Sequence, residues 1–307
     1  MRTRILLAGI LLPILSYSQS ADSSTNAKLV TTAPKFGGLT ISNMVAPIKA
    51  NGNSFTLQQP VVDLGVPIYK NFKTAHSVFI KTGIRYQGLF LSGEKYIGSN
   101  NFQSLTVPLL ISYGISRSTS ITLIGSASVN SDFRRNIEAE DIVYSAGVRM
   151  GFRQRSSFKF GVTMIYLCNY TGKYLLPIPD IDWTISKRWS LAGIIPARAT
   201  LRYKVTEAQS VGMTVMFNNN SYRLNDQPKK QYLQLQQNSG GLIYECRLGR
   251  NWKLNMVAAH SFVQKLETFN IDQKVSFNKL NKLNDRITNV SYRQNSFVFQ
   301  GGISYQF

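Results

Sequence analysis

The chain has 307 residues, with 35 Lys plus Arg against 15 Asp plus Glu, a formal net charge of +20 and 43% hydrophobic residues. Its 17 Phe and 15 Tyr exclude extended disorder, which is poor in aromatic and β-branched residues. Two Cys and two His are too few for a disulfide-stapled scaffold or a multidentate zinc or iron–sulfur site, so no metal and no cofactor is expected.

In chain order, Arg2 and Arg4 precede an apolar run from Ile5 to Leu15, followed by the small residues Ser16 and Ser18. This is the layout of a secretory signal peptide, with cleavage expected after Ser18. Eleven apolar residues in a helix reach only about 16 Å, against about 30 Å of hydrocarbon, which argues against a membrane anchor. Residues 1–18 are thus read as the signal peptide, 19–35 as a short N-terminal segment and 36–307 as one folded unit. Beyond Leu15 no apolar run approaches the roughly 20 residues of a spanning helix.

From residue 36 onward the period is two. Leu105, Val107, Leu109, Ile111 and Tyr113 alternate with Ser104, Thr106, Pro108 and Ser112; Tyr144, Val148 and Met150 alternate with Ser145, Gly147 and Arg149; Phe297, Phe299, Ile303, Tyr305 and Phe307 alternate with Gln300, Gly302, Ser304 and Gln306. The runs extend to about ten to thirteen residues, long enough to cross a bilayer at a tilt. Short polar turns (70–75, 116–119, 153–157, 249–252) alternate with longer connections (92–102, 266–294), as in outer-membrane barrels.

The expected fold is therefore all-β: a closed antiparallel transmembrane barrel of about twelve strands, at 36–48, 54–69, 76–90, 103–114, 119–130, 141–153, 157–168, 175–186, 209–218, 231–247, 252–265 and 294–307. Segment 189–203, with Pro196 in its middle, is too short for two full crossings. It is read as a Pro-broken stretch at the periplasmic mouth, with two real strands, and hence fourteen in all, as the alternative.

The last eight residues, Gln300-Gly-Gly-Ile-Ser-Tyr-Gln-Phe307, resemble the C-terminal assembly signal of bacterial outer-membrane barrels at Gln300, Gly302, Tyr305 and Phe307. The resemblance implies that barrel-assembly machinery recognises Tyr305 and Phe307. Trp189, Leu191, Pro196, Leu201 and Tyr203, followed by Ser221-Tyr-Arg-Leu224, are similar to an uncharacterised Bacteroidota-type outer-membrane barrel family of unknown function. That similarity implies a Gram-negative outer-membrane location and carries over no activity.

If the apolar phase meets lipid, the other phase lines the lumen. Its charges are Lys81, Arg85, Arg149, Lys159, Asp180, Asp182, Glu245 and Arg247. They suit either a salt-bridged packed interior or a basic wall facing an acidic patch across a water-filled pore. The basic excess suits contact with the phosphates of lipopolysaccharide or anionic lipid, through loop residues Arg134, Arg135, Lys229, Lys230, Lys279 and Lys282. Nucleic acid is not expected as a partner, because no binding motif is present.

His260 and Ser261 are the one tempting catalytic pair, but adjacent strand residues point to opposite faces, and His76 lies near a turn. No enzyme is expected. Cys168 falls near the outer end of an upward strand and Cys246 near the inner end of a downward one, too far apart to bridge, and they are read as two free thiols. The functional expectation is a monomeric passive pore or structural barrel, with loop-mediated adhesion and a barrel-wall hydrolase as the alternatives.

Overall fold

The computed structural model describes residues 37–50, 52–72, 76–225, 230–274 and 286–307; segments 1–18 and 19–35 lie outside them. The long alternating runs form β1 (Gly38–Ala50), β2 (Asn53–Asn71), β3 (Val78–Ser92), β4 (Asn101–Gly114), β5 (Thr119–Ser131), β6 (Ile142–Arg155), β7 (Phe158–Asn169) and β8 (Gly172–Thr184). There follow β9 (Trp189–Ile194), β10 (Arg198–Lys204), β11 (Gln209–Leu224), β12 (Gln231–Leu248), β13 (Trp252–Asn270), β14 (Val290–Arg293) and β15 (Phe297–Gln306). Consecutive strands from β1 to β14 pair antiparallel, β15 pairs with β13, and β1 pairs with β15 from Gly38↔Gln306 to Val45↔Phe299, which closes the sheet. Pairing at this seam leaves no free edge where the two chain ends meet, as a bilayer that cannot hydrate one requires.

The strand count is fourteen rather than twelve. β14 and β15 together make a single crossing, since β13 pairs with β15 over Trp252–His260 and with β14 over Lys265–Thr268. The two added strands are β9 and β10, so segment 189–203 is wall and not a stretch lying against the mouth. The physical reason is that each half alternates by itself. Leu191 and Leu201 take the outer phase, Ala192 and Thr200 the inner, and Pro196 falls in the turn between them, where no ladder donor is needed.

One phase of each strand forms an apolar outer belt: Leu105, Val107 and Leu109 are 48%, 52% and 43% exposed. On the inner phase of the same region, hydroxyls and amides bond across strands, as in Ser104 to Asn130 (2.5 Å), Thr106 with Ser128 (2.8 Å) and Ser126 with Ser145 (2.8 Å). Greasy outside and polar inside is the inverse of a soluble protein and the pattern of a membrane barrel. Both ends of the barrel lie on one rim, where the Phe307 N–H donates to the Gly37 carbonyl at 3.4 Å. That rim carries a partial aromatic girdle, including the ring pairs Trp189–Tyr203 (5.0 Å) and Trp252–Tyr305 (4.9 Å).

Candidate functional site

The half of the lumen nearer the terminal rim is charged, and each of its acids lies beside a base while the bases are in excess. Arg149 on β6 grips Asp180 on β8 in a bidentate pair, with Nε to Oδ2 at 2.7 Å and Nη2 to Oδ1 at 2.6 Å. The pair lies flat because glycines floor it: a Cβ at Gly161 would fall 2.5 Å from Arg149 Nη2 and 2.7 Å from Asp180 Oδ2. Gly161→Ala is therefore expected to displace the guanidinium and cost about 1–3 kcal/mol, read as a lower denaturation midpoint. Gly125→Ala, where the nearest atom is at 3.9 Å, serves as the neutral control.

Glu245 on β12 is held between two cations, Arg202 Nε at 2.5 Å and Lys253 Nζ at 2.6 Å. Sequence reasoning missed both partners. Arg202 lies in the segment read as broken, whereas Lys253 sat on the inner phase of a strand already assigned and was legible there. Arg198 projects from the same phase of β10, two positions from Thr200 and four from Arg202. Asp63, also missed, lies opposite Arg85 in the β2–β3 register, and Lys159 lies opposite Asp182 between β7 and β8. The Lys81 side chain crosses over Gly65, and Arg247 is exposed near the rim. Acids and bases thus meet as neighbours, the arrangement of a salt-bridged interior rather than of a basic wall facing an acidic patch.

The other half of the lumen is filled. Leu57, Leu89, Leu91, Leu233 and Leu235 project inward from three strands and are fully buried. Ala46, Ile48, Phe55, Phe102, Tyr222 and Leu266 belong to the same cluster. The 93–100 connection folds in over them: Ile97 enters the cluster, and buried Glu94 accepts from the Tyr292 hydroxyl at 2.8 Å and the Tyr96 N–H at 2.6 Å. Side chains packed this closely leave little room for water along the axis at this height.

The wall beside this plug is notched. β9 and β10 have six and seven residues, against the roughly nine to eleven that a crossing needs. β9 pairs with β8 only over Asp180–Thr184, and β10 pairs with β11 only over Ser210–Met216. Beyond them β11 leans across the barrel to β5, where Arg223 faces Ser131, and the Asp132 N–H donates to the Arg223 carbonyl at 3.1 Å. Arg223 is fixed there by Glu138 (2.8 Å) and Asp141 (3.4 Å).

The notch is therefore bounded by β8, by the turn at Ile195–Ala197, and by β11 near Asn219 and Ser221. Above it Tyr170, at the β7–β8 turn, stacks on Tyr232 (5.9 Å) and donates to the carbonyls of Asn130 (2.8 Å) and Asp141 (2.9 Å). Burial pushes the Tyr170 phenol well above its ordinary range, so it remains a neutral donor.

Two sequence features suit β8 to this edge. The Pro179 carbonyl accepts from the Ile195 N–H at 2.8 Å, so odd-numbered residues of β8 turn their backbone towards the notch. Pro177 and Pro179 both fall there, where a missing N–H leaves no donor unsatisfied. On the inner phase beside the notch, Ile165 faces Leu176 and Thr163 faces Ile178 in the β7–β8 register, giving a largely apolar inner wall.

His260 lies on the outer belt with its ring against Phe297 (5.1 Å), while Ser261 is buried on the opposite face, bonded to Gln264 (2.9 Å). The two do not converge. His76 stacks on Tyr113 (5.9 Å) at the terminal rim. Cys168 and Cys246 are both free, at opposite ends of the barrel. Arg134 donates to the Gly98 carbonyl (2.8 Å), Lys230 approaches Glu138 (3.9 Å) and Arg135 is exposed; Lys229, Lys279 and Lys282 lie outside the described residues. Of the C-terminal residues, Tyr305 and Phe307 are in ring contact (5.9 Å), while Gln300 and Gly302 take the inner phase of β15.

A family model described as "Domain of unknown function (DUF6268)" matches residues 94–306. The chain belongs to the DUF6268 family. The matched region of this DUF6268 chain holds the notch, the Arg149–Asp180 pair and the Glu245 cluster. No curated protein matches it. Among solved structures the DUF6268 chain is similar to TodX, titled the Pseudomonas putida toluene transporter, at 8% identity and a TM-score of 0.37, covering 91% of this chain and 93% of that one. It is also similar to a deltaS2 mutant titled TodX monoaromatic hydrocarbon channel (7% identity, TM-score 0.38, 91% of each chain). A third is the transport unit of the autotransporter AIDA-I from Escherichia coli (13% identity, TM-score 0.30, 89% of this chain and 91% of that one). These likenesses concern the fold alone.

Proposed function

We propose that this DUF6268 chain is an outer-membrane barrel that passes apolar solutes through the side of its wall, between β8 and β11. The observation that carries this reading is a notch cut at the height where the axial path is plugged by buried leucines. A solute in the charged lower lumen has no way onward along the axis, but it has an apolar inner wall at Ile165, Leu176 and Ile178 beside an opening to the membrane. In this reading residues 1–18 export the chain, Tyr305 and Phe307 present the closing strand to the assembly machinery, and basic loop residues meet anionic lipid phosphates. The barrel works as a monomer.

The test is uptake of the apolar dye N-phenylnaphthylamine by cells displaying the barrel. Asn219→Cys, in a background with Cys168→Ala and Cys246→Ala, places one thiol on the exposed side of β11 at the notch. A bulky maleimide there should bring uptake down to that of cells lacking the barrel, while the same label at an exposed residue of the opposite wall, Val107→Cys, should not. Unchanged uptake on labelling Asn219→Cys would remove the side route.

A further inference from the structure

The outer wall carries a second feature, below the notch and separate from it. Across β10 to β15 the lipid-facing side is concave, with a cavity of about 850 Å³, inside the ~300–1,000 Å³ range of ligand sites. A barrel wall is ordinarily convex to lipid. Here the floor is low because Ala258 and Gly301 occupy outer-phase positions; nothing lies within 4 Å of a Cβ added at Gly301. The banks are long apolar side chains, Met213 and Leu242 (each 65% exposed), Met256 and Phe299, together with Trp189 and Tyr203 at the terminal-rim end.

That end also supplies charge. Arg188, in the β8–β9 turn, donates from Nη1 to the Tyr203 hydroxyl at 2.8 Å, with its guanidinium carbon 6.0 Å from the centre of that ring. This engages one of the five N–H donors of a guanidinium. Lys187 precedes it, and both are exposed. The neighbouring turn contributes Glu207, whose carboxylate is bound to Lys204 at 2.6 Å.

From this arrangement we infer that the groove is a binding site for one glycerophospholipid of the leaflet on the terminal-rim side. An acyl chain lies over Ala258 and Gly301, and the phosphodiester sits on Arg188. A long trough without polar side chains on its floor suits a hydrocarbon chain. The cation at one end fixes which way round the lipid lies and selects a phosphate. A free anion would find no reason for the trough, and a sterol-like body no reason for the guanidinium.

Native mass spectrometry of the full-length protein, released from detergent after incubation with palmitoyl-oleoyl phosphatidylglycerol, tests the inference. The wild-type barrel should retain one lipid. Gly301→Phe fills the floor where space is open, and the lipid-bound fraction should fall about tenfold; Ala258→Phe is the second variant should the first not fold, with heat-modifiable gel migration reporting folding. Arg188→Gln should weaken retention by about tenfold, the worth of one charge-assisted hydrogen bond. It should leave the binding of a neutral diacylglycerol unchanged. A folded groove-filling variant that keeps its lipid, or an Arg188→Gln barrel that binds both lipids as the wild type does, overturns the site. Neither result bears on dye uptake through the notch.

Discussion

Replacing Leu57, Leu89 and Leu235 together with serine is expected to convert a barrel that conducts almost no ions into one with discrete single-channel openings in a planar bilayer. All three are fully buried in the upper lumen on β2, β3 and β12, and Leu57 is the direct register partner of Leu91. Truncation removes hydrocarbon that occupies the axis, and the hydroxyls give water partners that an alanine-lined void would lack. Each large-to-small change in a packed core costs about 2–5 kcal/mol, so the variant will also unfold at lower denaturant. Gel migration before and after boiling identifies the fraction still closed. Wild-type protein that already opens in large steps would show that the leucine layer is no barrier.

Glu245→Gln is expected to be the most damaging single polar substitution. The carboxylate is nearly buried and is shared by Arg202 and Lys253, whose side chains are only 12% and 16% exposed. The amide keeps the shape but leaves two cations facing each other without an anion, a loss on the order of 3–5 kcal/mol for a broken buried pair. Thermal denaturation monitored by gel migration should show the transition moving to clearly lower temperature. Adding Arg202→Gln to Glu245→Gln should recover part of that loss, because it removes one of the uncompensated charges. A double variant as unstable as the sum of the two single changes would mean that Arg202 and Glu245 act independently.

The barrel was legible because lipid imposes one rule on every crossing, and the outer phases of β4, β5, β6 and β15 stay apolar even where the inner phase also turns apolar, at Phe102 and Val298. The strand count was not, because β9 and β10 have too few residues to cross and the length test rejects them; their separate alternation, Leu191 against Ala192 and Leu201 against Thr200, was the better guide. The upper plug was written in the sequence in a form that a single-phase reading passes over. Along β2 the apolar residues change phase, from Phe55 and Leu57 to Val62, Leu64 and Val66. β12 does the same, from Leu233 and Leu235 to Leu242 and Tyr244. A change of phase within one strand marks the height at which the hydrocarbon passes from outside the wall to inside it. The pairing of Arg149 with Asp180 could not be read in advance, because it depends on three strands lying side by side and on glycines that leave room above the sheet.

Pro177 and Pro179 also bear on how copies of the chain meet. A strand from a second barrel could extend the sheet at β8 only by finding alternating donors and acceptors along the exposed border. Pro177 and Pro179 bring no N–H to that border, and the Pro179 carbonyl is already taken by the Ile195 N–H. Edge-to-edge stitching of two copies is therefore disfavoured along β8, and in the proposed side route the same two prolines would keep a second chain out of the opening.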